Sequence, residues 1–87
     1  MPRYLVERTF ATEHSLPDHD QDPQASLIFD DNNTAEGVTW LHSYVSADHR
    51  RTFCLYDAPE PAALRRAAER NHLPIDRIIA VEVLNHR

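Results

Sequence analysis

Cysteine is almost missing from this chain: Cys54 is the only one in 87 residues. No disulfide can therefore form within one chain, and stability must come from packing. A lone thiol behind an N-terminus, MPRYLVERTF, with no apolar run long enough for a signal peptide or a membrane span implies a reducing, cytoplasmic setting. Glycine is equally scarce. Gly37 stands alone, so the chain has one position at which a left-handed backbone comes without a steric cost. Excess positive charge is lacking too. The formal net charge is −5, which argues against nucleic acid as a partner, because such binding needs a basic footprint. Arg65, Arg66 and Arg70 share one stretch, but that face is too small to reverse this conclusion. The length fits one domain over residues 1–87, with a small core.

What is present is a succession of strand-like and helix-like segments. Arg3 to Phe10 alternates as a strand. Ala11 to Asp22 reads as a polar, acidic loop. Asp22-Pro23 is a helix start, with an acid at the N-cap and proline at the first helical position. Ala25, Ile28 and Phe29 supply the expected buried stripe, while Asp30, Asp31, Asn32 and Asn33 are poor helix formers. Gly37 is the expected stop. Val38 to Ser46 and Arg51 to Asp57 form a hairpin about the turn Ala47 to Arg50. Pro61 to Arg70 is a second helix with Leu64, Ala67 and Ala68 inward. Asn71 can end it, and Arg77 to Leu84 is a last strand rich in Ile and Val. The order β-α-β-β-α-β is the split βαβ, or ferredoxin-like, α+β sandwich: a four-stranded antiparallel sheet with two helices on one face.

One sheet face is then covered and the other open. Side-chain parity predicts a covered face of Tyr4, Val6, Phe10, Leu41, Val45, Phe53, Leu55, Ile79, Val81 and Val83. It predicts an open face carrying Leu5, Glu7, Thr9, Trp40, His42, Tyr44, Cys54, Tyr56, Ile78, Ala80, Glu82 and Leu84. So apolar an open face implies an interface, most simply a homodimer pairing sheet to sheet about a two-fold axis. Glu7, His42 and Glu82 in that layer suggest a metal site, with Tyr44 and Cys54 nearby. Mixed nitrogen and oxygen donors suit nickel, zinc or copper. Neighbouring first and last strands would let Glu7 and Glu82 approach each other directly, whereas His42 lies roughly 10 Å across the sheet from Glu7. No HExxH or CxxC signature accompanies them. The blander reading of these residues is a histidine–carboxylate contact buried in a dimer interface.

Other chemistry-bearing residues read as ordinary. His14, Asp18, His19, Asp20 and Asp22 form an acidic cluster that fits a solvated loop better than an ion site. Cys54 lacks an orienting triad and reads as a buried thiol. His49 belongs to the exposed turn; His72 and His86 sit at a helix end and near the C-terminus.

VERTF near the start, GVTWLHSYVS in the centre, TFCLYDAP after it and LRRAAERNHLPIDRIIAVEVL at the end resemble, in this order, a small bacterial family. It is known as a domain of unknown function and associated with nickel binding. The resemblance implies a ferredoxin-like sandwich, a homodimer and nickel at or near the dimer cleft. Glu7 of VERTF and His42 and Tyr44 of LHSYV fall in the matching blocks; Glu82 is placed by parity alone. The expected function is a small dimeric metal-binding protein that sequesters, delivers or senses nickel, with no membrane partner. The competing expectations are a cofactor-free monooxygenase or isomerase of the dimeric barrel kind, with Glu7, His42 and Tyr44 lining its pocket, and a plain self-associating module.

Overall fold

The computed structural model describes residues 1–11 and 23–84. The cap at Asp22, the acidic cluster from His14 to Asp22, and His86 lie outside the described residues. The elements run β1 (Arg3–Thr9), α1 (Pro23–Ala35), β2 (Thr39–Val45), β3 (Arg51–Asp57), α2 (Pro61–Arg70) and β4 (Arg77–Val81). The strands form one sheet in the order β2-β3-β1-β4, with every neighbouring pair antiparallel. This is the expected ferredoxin-like α+β sandwich.

Both helices end in the same backbone device. After α1, the Val38 N–H donates to the Asn33 carbonyl and the Gly37 N–H to the Thr34 carbonyl, with Gly37 at φ 72°. After α2, the Leu73 N–H donates to the Ala68 carbonyl and the His72 N–H to the Glu69 carbonyl. These are paired Schellman bonds, which satisfy carbonyls left over at a helix end. At the second of them the left-handed position is filled not by glycine but by His72, at φ 56°.

α1 continues through its run of Asp and Asn to Ala35. Tertiary contacts outweigh the poor propensity there. Asn33 is 3% exposed and accepts from the Asn71 side-chain amide at 3.2 Å, and the Asn71 amide oxygen accepts from Asn32 at 2.7 Å. Side-chain amides thus join α1 to the end of α2. The buried line of α1 includes Ser26 and Asn33, whereas Ile28, expected to be buried, is 60% exposed. α2 buries Ala63, Leu64, Ala67 and Ala68, and the first three join the core with residues of the sheet.

The core under the helices joins Tyr4, Val6, Val38, Cys54, Tyr56, Ala58, Ala63, Leu64 and Ala67. Trp40, Ile75 and Ile78 pack against it. β1 keeps the predicted parity throughout, and β2 keeps it from His42 onward. In β3 the buried residues are Thr52, Cys54 and Tyr56, so Phe53 and Leu55 belong to the open face. In β4, Ile78 and Ala80 stand opposite Val6 and Tyr4 on the covered side, while Ile79 and Val81 stand opposite Leu5 and Arg3 on the open side. Both strands carry apolar residues at both parities, so parity alone could not orient them. Register decides it, because a side chain shares a face with its cross-strand partner.

β2 is corrected differently. Trp40 pairs with Tyr56 and His42 with Leu55, so a bulge at Leu41 places one extra residue between them. Trp40 therefore turns to the covered face and His42 to the open one. Leu41 and Val45, both expected in the core, are 37% and 51% exposed. β4 is also shorter than expected. It ends at Val81, leaving Glu82, Val83 and Leu84 beyond the sheet, with Val83 and Leu84 exposed.

Candidate metal centre

The open face is an aliphatic strip framed by charge. Leu5, Leu55 and Ile79 share its middle through the pairings Leu5–Leu55 and Leu5–Ile79. At one end the Arg3 Nε donates to Asp57 Oδ1 at 2.9 Å. That arginine holds the Asp57 carboxyl below the usual carboxylate range. At the other end Glu7 is gripped by Arg77 through a short charge-assisted hydrogen bond and approached by Arg51 at 3.9 Å. The Arg51 guanidinium also lies over the Phe53 ring, 5.3 Å from its centre.

His42 and Tyr44 stand together at the β2 edge of this face. Their rings meet edge to face at 5.3 Å and 89°, the geometry in which a ring edge meets a neighbour's electron-rich face. Tyr44 is 64% exposed and His42 is exposed as well. A depression of about 350 Å³ spreads from them across the sheet, lined by His42, Tyr44, Leu55, Leu5, Arg3, Val81, Glu82 and Val83.

The four residues singled out in the sequence are thus divided. His42, Tyr44 and Glu82 line one depression. Glu7 lies on the same face but outside that lining, with its carboxylate turned to two arginines. The expected approach of Glu7 to Glu82 does not occur. Because β1 and β4 are antiparallel, Glu7 faces Arg77 at one end of the ladder, while Glu82 follows Val81, the partner of Arg3, at the other. Cys54 is fully buried on the helix side, away from this depression, as the reading of an ordinary thiol requires. The sequence-based reading missed Arg3, Leu55 and Val81 in the lining, and the arginine clamp on Glu7. Only cross-strand register reveals them.

As a metal centre the face of one chain is incomplete. β2 and β4 are opposite edges of a four-stranded sheet, about 14 Å apart at ordinary strand spacing, too far for one ion to bond both His42 and Glu82. Among the described residues no group of three or more His, Cys, Asp or Glu stands close enough to hold an ion. The donor types suit nickel, zinc or copper, but the described residues of one chain do not gather them. No helix among the described residues is long and apolar enough to cross a membrane.

A family model described as "Nickel responsive protein SCO4226-like" matches residues 4–81. The fold is similar to that in the crystal structure of SCO4226 from Streptomyces coelicolor A3(2), with a TM-score of 0.72 and 19% sequence identity. The similarity covers 95% of this chain and 99% of that one. No protein of curated function matches the chain.

Proposed function

Because the chain belongs to the SCO4226-like family of nickel responsive proteins, we propose that it is a small homodimer binding a divalent transition metal, nickel first, between the open faces of two sheets. Its role is then to sequester, deliver or sense that ion. The observation that carries this reading is the exposed depression with an imidazole, a phenol and a carboxylate on its walls: His42, Tyr44 and Glu82.

A second copy answers two physical problems together. The aliphatic strip of Leu5, Leu55, Ile79 and Val81 leaves the water, which stabilises association in proportion to the apolar area removed. A two-fold axis also duplicates every donor, so that His42 of one chain meets carboxylates of the other. Nickel takes mixed nitrogen and oxygen donors in tetragonal or octahedral arrangements, more ligands than one face gathers. Glu7 joins such a sphere by exchanging Arg77 and Arg51 for the ion; His42, Tyr44 and Glu82 need no such exchange.

The test is calorimetric titration of nickel into the purified protein and into His42→Ala, with sedimentation to read the mass of each. The wild type is expected to be a dimer and to bind nickel, with His42→Ala losing at least tenfold in affinity. Leu55→Arg, at the centre of the strip, is expected to be monomeric and to bind weakly. Equal stoichiometry and affinity in wild type and His42→Ala remove His42 as a ligand. A Leu55→Arg monomer that binds as the wild type does removes the shared site.

A further inference from the structure

β1 turns Tyr4, Val6 and Arg8 towards the helices, and Arg8 is 3% exposed. Directly across the ladder stands Thr52, 1% exposed. One face of the guanidinium is covered by the Tyr56 ring, whose centre lies 5.8 Å from the Arg8 Cζ. Nε and Nη1 of Arg8 and Oγ1 of Thr52 are all buried and have no hydrogen-bond partner among the described residues. The ion pairs of the described residues engage Arg3, Arg51, Arg66, Arg70 and Arg77, but not Arg8.

A guanidinium does not escape burial by losing its proton, as a lysine or histidine does. Its charge must be compensated. The contact with Tyr56, through its ring and its hydroxyl, offsets only part of the cost of leaving it dry and without an ion pair among the described residues. Tyr56 supplies no countercharge, because burial pushes its phenol up to about 12 and keeps it neutral. Unpaired N–H groups at Nε and Nη1, on different edges of a planar cation, stand next to an unpaired hydroxyl and call for acceptor oxygens.

We propose that Arg8 and Thr52 form a buried anion site on the helix side of the sheet, taking a small oxyanion of the phosphate, sulfate or carboxylate class. The guanidinium supplies the charge and the N–H groups of one edge, the Thr52 hydroxyl a further donor, and the Tyr56 ring forms one wall. The site lies on the opposite face of the sheet from His42 and Tyr44, so it stands independently of any metal bound there. The chain as a whole carries a charge of −5, so long-range attraction gives no help. Affinity resides in the buried donors and should weaken little with added salt, unlike binding to an exposed basic patch.

The experiment is calorimetric titration of inorganic phosphate, sulfate and acetate into the metal-free full chain at fixed ionic strength, with chloride as the reference salt. One of the three is expected to bind saturably with one site per chain and to raise the thermal midpoint; which one does so identifies the ligand class. Arg8→Met is expected to abolish the binding and, by removing an unpaired charge, to unfold at a higher temperature than anion-free wild type. Thr52→Val keeps the shape of the strand and is expected to weaken binding roughly tenfold, the order of one hydrogen bond to a charged group. If Arg8→Met does not fold, Thr52→Val decides the matter. No saturable binding by the wild type, or unchanged affinity in Thr52→Val, overturns the proposal. So does destabilisation of Arg8→Met without anion, which would mean that the chain itself neutralises the arginine.

Discussion

Trp40 and His42 are two residues apart in a strand, yet they point to opposite faces of the sheet, because the bulge at Leu41 lies between their partners Tyr56 and Leu55. Plain alternation would put both on one face. The bulge instead gives the tryptophan to the core, where its Nε1 donates to Ser43 Oγ at 2.8 Å, and the histidine to the open face. The separation of core from candidate site in β2 depends on that one extra residue.

Deleting Leu41 therefore tests the bulge. The shortened strand keeps Trp40 opposite Tyr56 and His42 opposite Leu55 in regular pairing. We expect a folded protein with the buried-type fluorescence of Trp40 retained. A red-shifted, water-exposed emission from a folded deletion variant would show that the bulge holds the strand in some other way.

His72 carries a left-handed backbone at φ 56° in the turn that ends α2. A side chain there is strained by about 1 kcal/mol relative to glycine. His72→Gly is expected to stabilise the fold by up to about 0.5 kcal/mol, after allowance for the greater freedom of glycine in the unfolded chain. Urea denaturation reads this directly, and a loss of stability would mean that the imidazole makes a contact worth more than the strain.

Glu36 accepts from Arg66 Nε at 2.7 Å and from Arg70 Nε at 2.9 Å. Arg66 first, then Arg70, holds its carboxyl below the usual carboxylate range. A carboxyl lowered in the folded state stabilises above its unfolded pKa and loses that contribution as pH falls through the folded value. The stability gap between wild type and Glu36→Gln should therefore be present at neutral pH and close below the ordinary range for a glutamate. Thermal melts across that window check it; a gap that does not change with pH assigns the role of Glu36 to packing.

Tyr56 shifts the opposite way. Burial raises its phenol to about 12, above the ordinary value of 10.0. Stability attributable to the neutral phenol is then intact below about pH 10 and falls as pH rises towards about 12, because the unfolded chain ionises first. The full loss is on the order of 2–3 kcal/mol. Tyr56→Phe should flatten the alkaline limb of the stability profile. An equally steep limb in that variant would place the alkaline sensitivity elsewhere.

The order of elements was legible because local chemistry marks each boundary. Pro23 and Pro61 open the helices, Gly37 and Asn71 close them, and Ile and Val mark the last strand. The location of the candidate donors was legible only in part. His42 and Tyr44 were assigned to the open face, and they are there. Yet that assignment rested on unbroken alternation from Trp40, and the bulge makes Trp40 the exception. Glu7 was placed on the correct face without its arginines, because Arg77 meets it only through a ladder between residues 70 positions apart in the chain.

By itself, then, the sequence determined the elements, their order and hence the ferredoxin-like sheet, since caps, turns and periodicity act over a few residues. Tertiary structure decided which side of β3 and β4 faces the helices. In both strands each parity carries enough apolar surface to serve as a core, so burial alone does not choose. The pairing of Tyr4 with Tyr56 and of Leu5 with Leu55 makes the choice. It places Thr52, Cys54 and Tyr56 under the helices beside Arg8, and leaves Phe53, Leu55, Ile79 and Val81 to form the open face. The same long-range register buried an arginine without a carboxylate partner among the described residues, which neither composition nor spacing reveals.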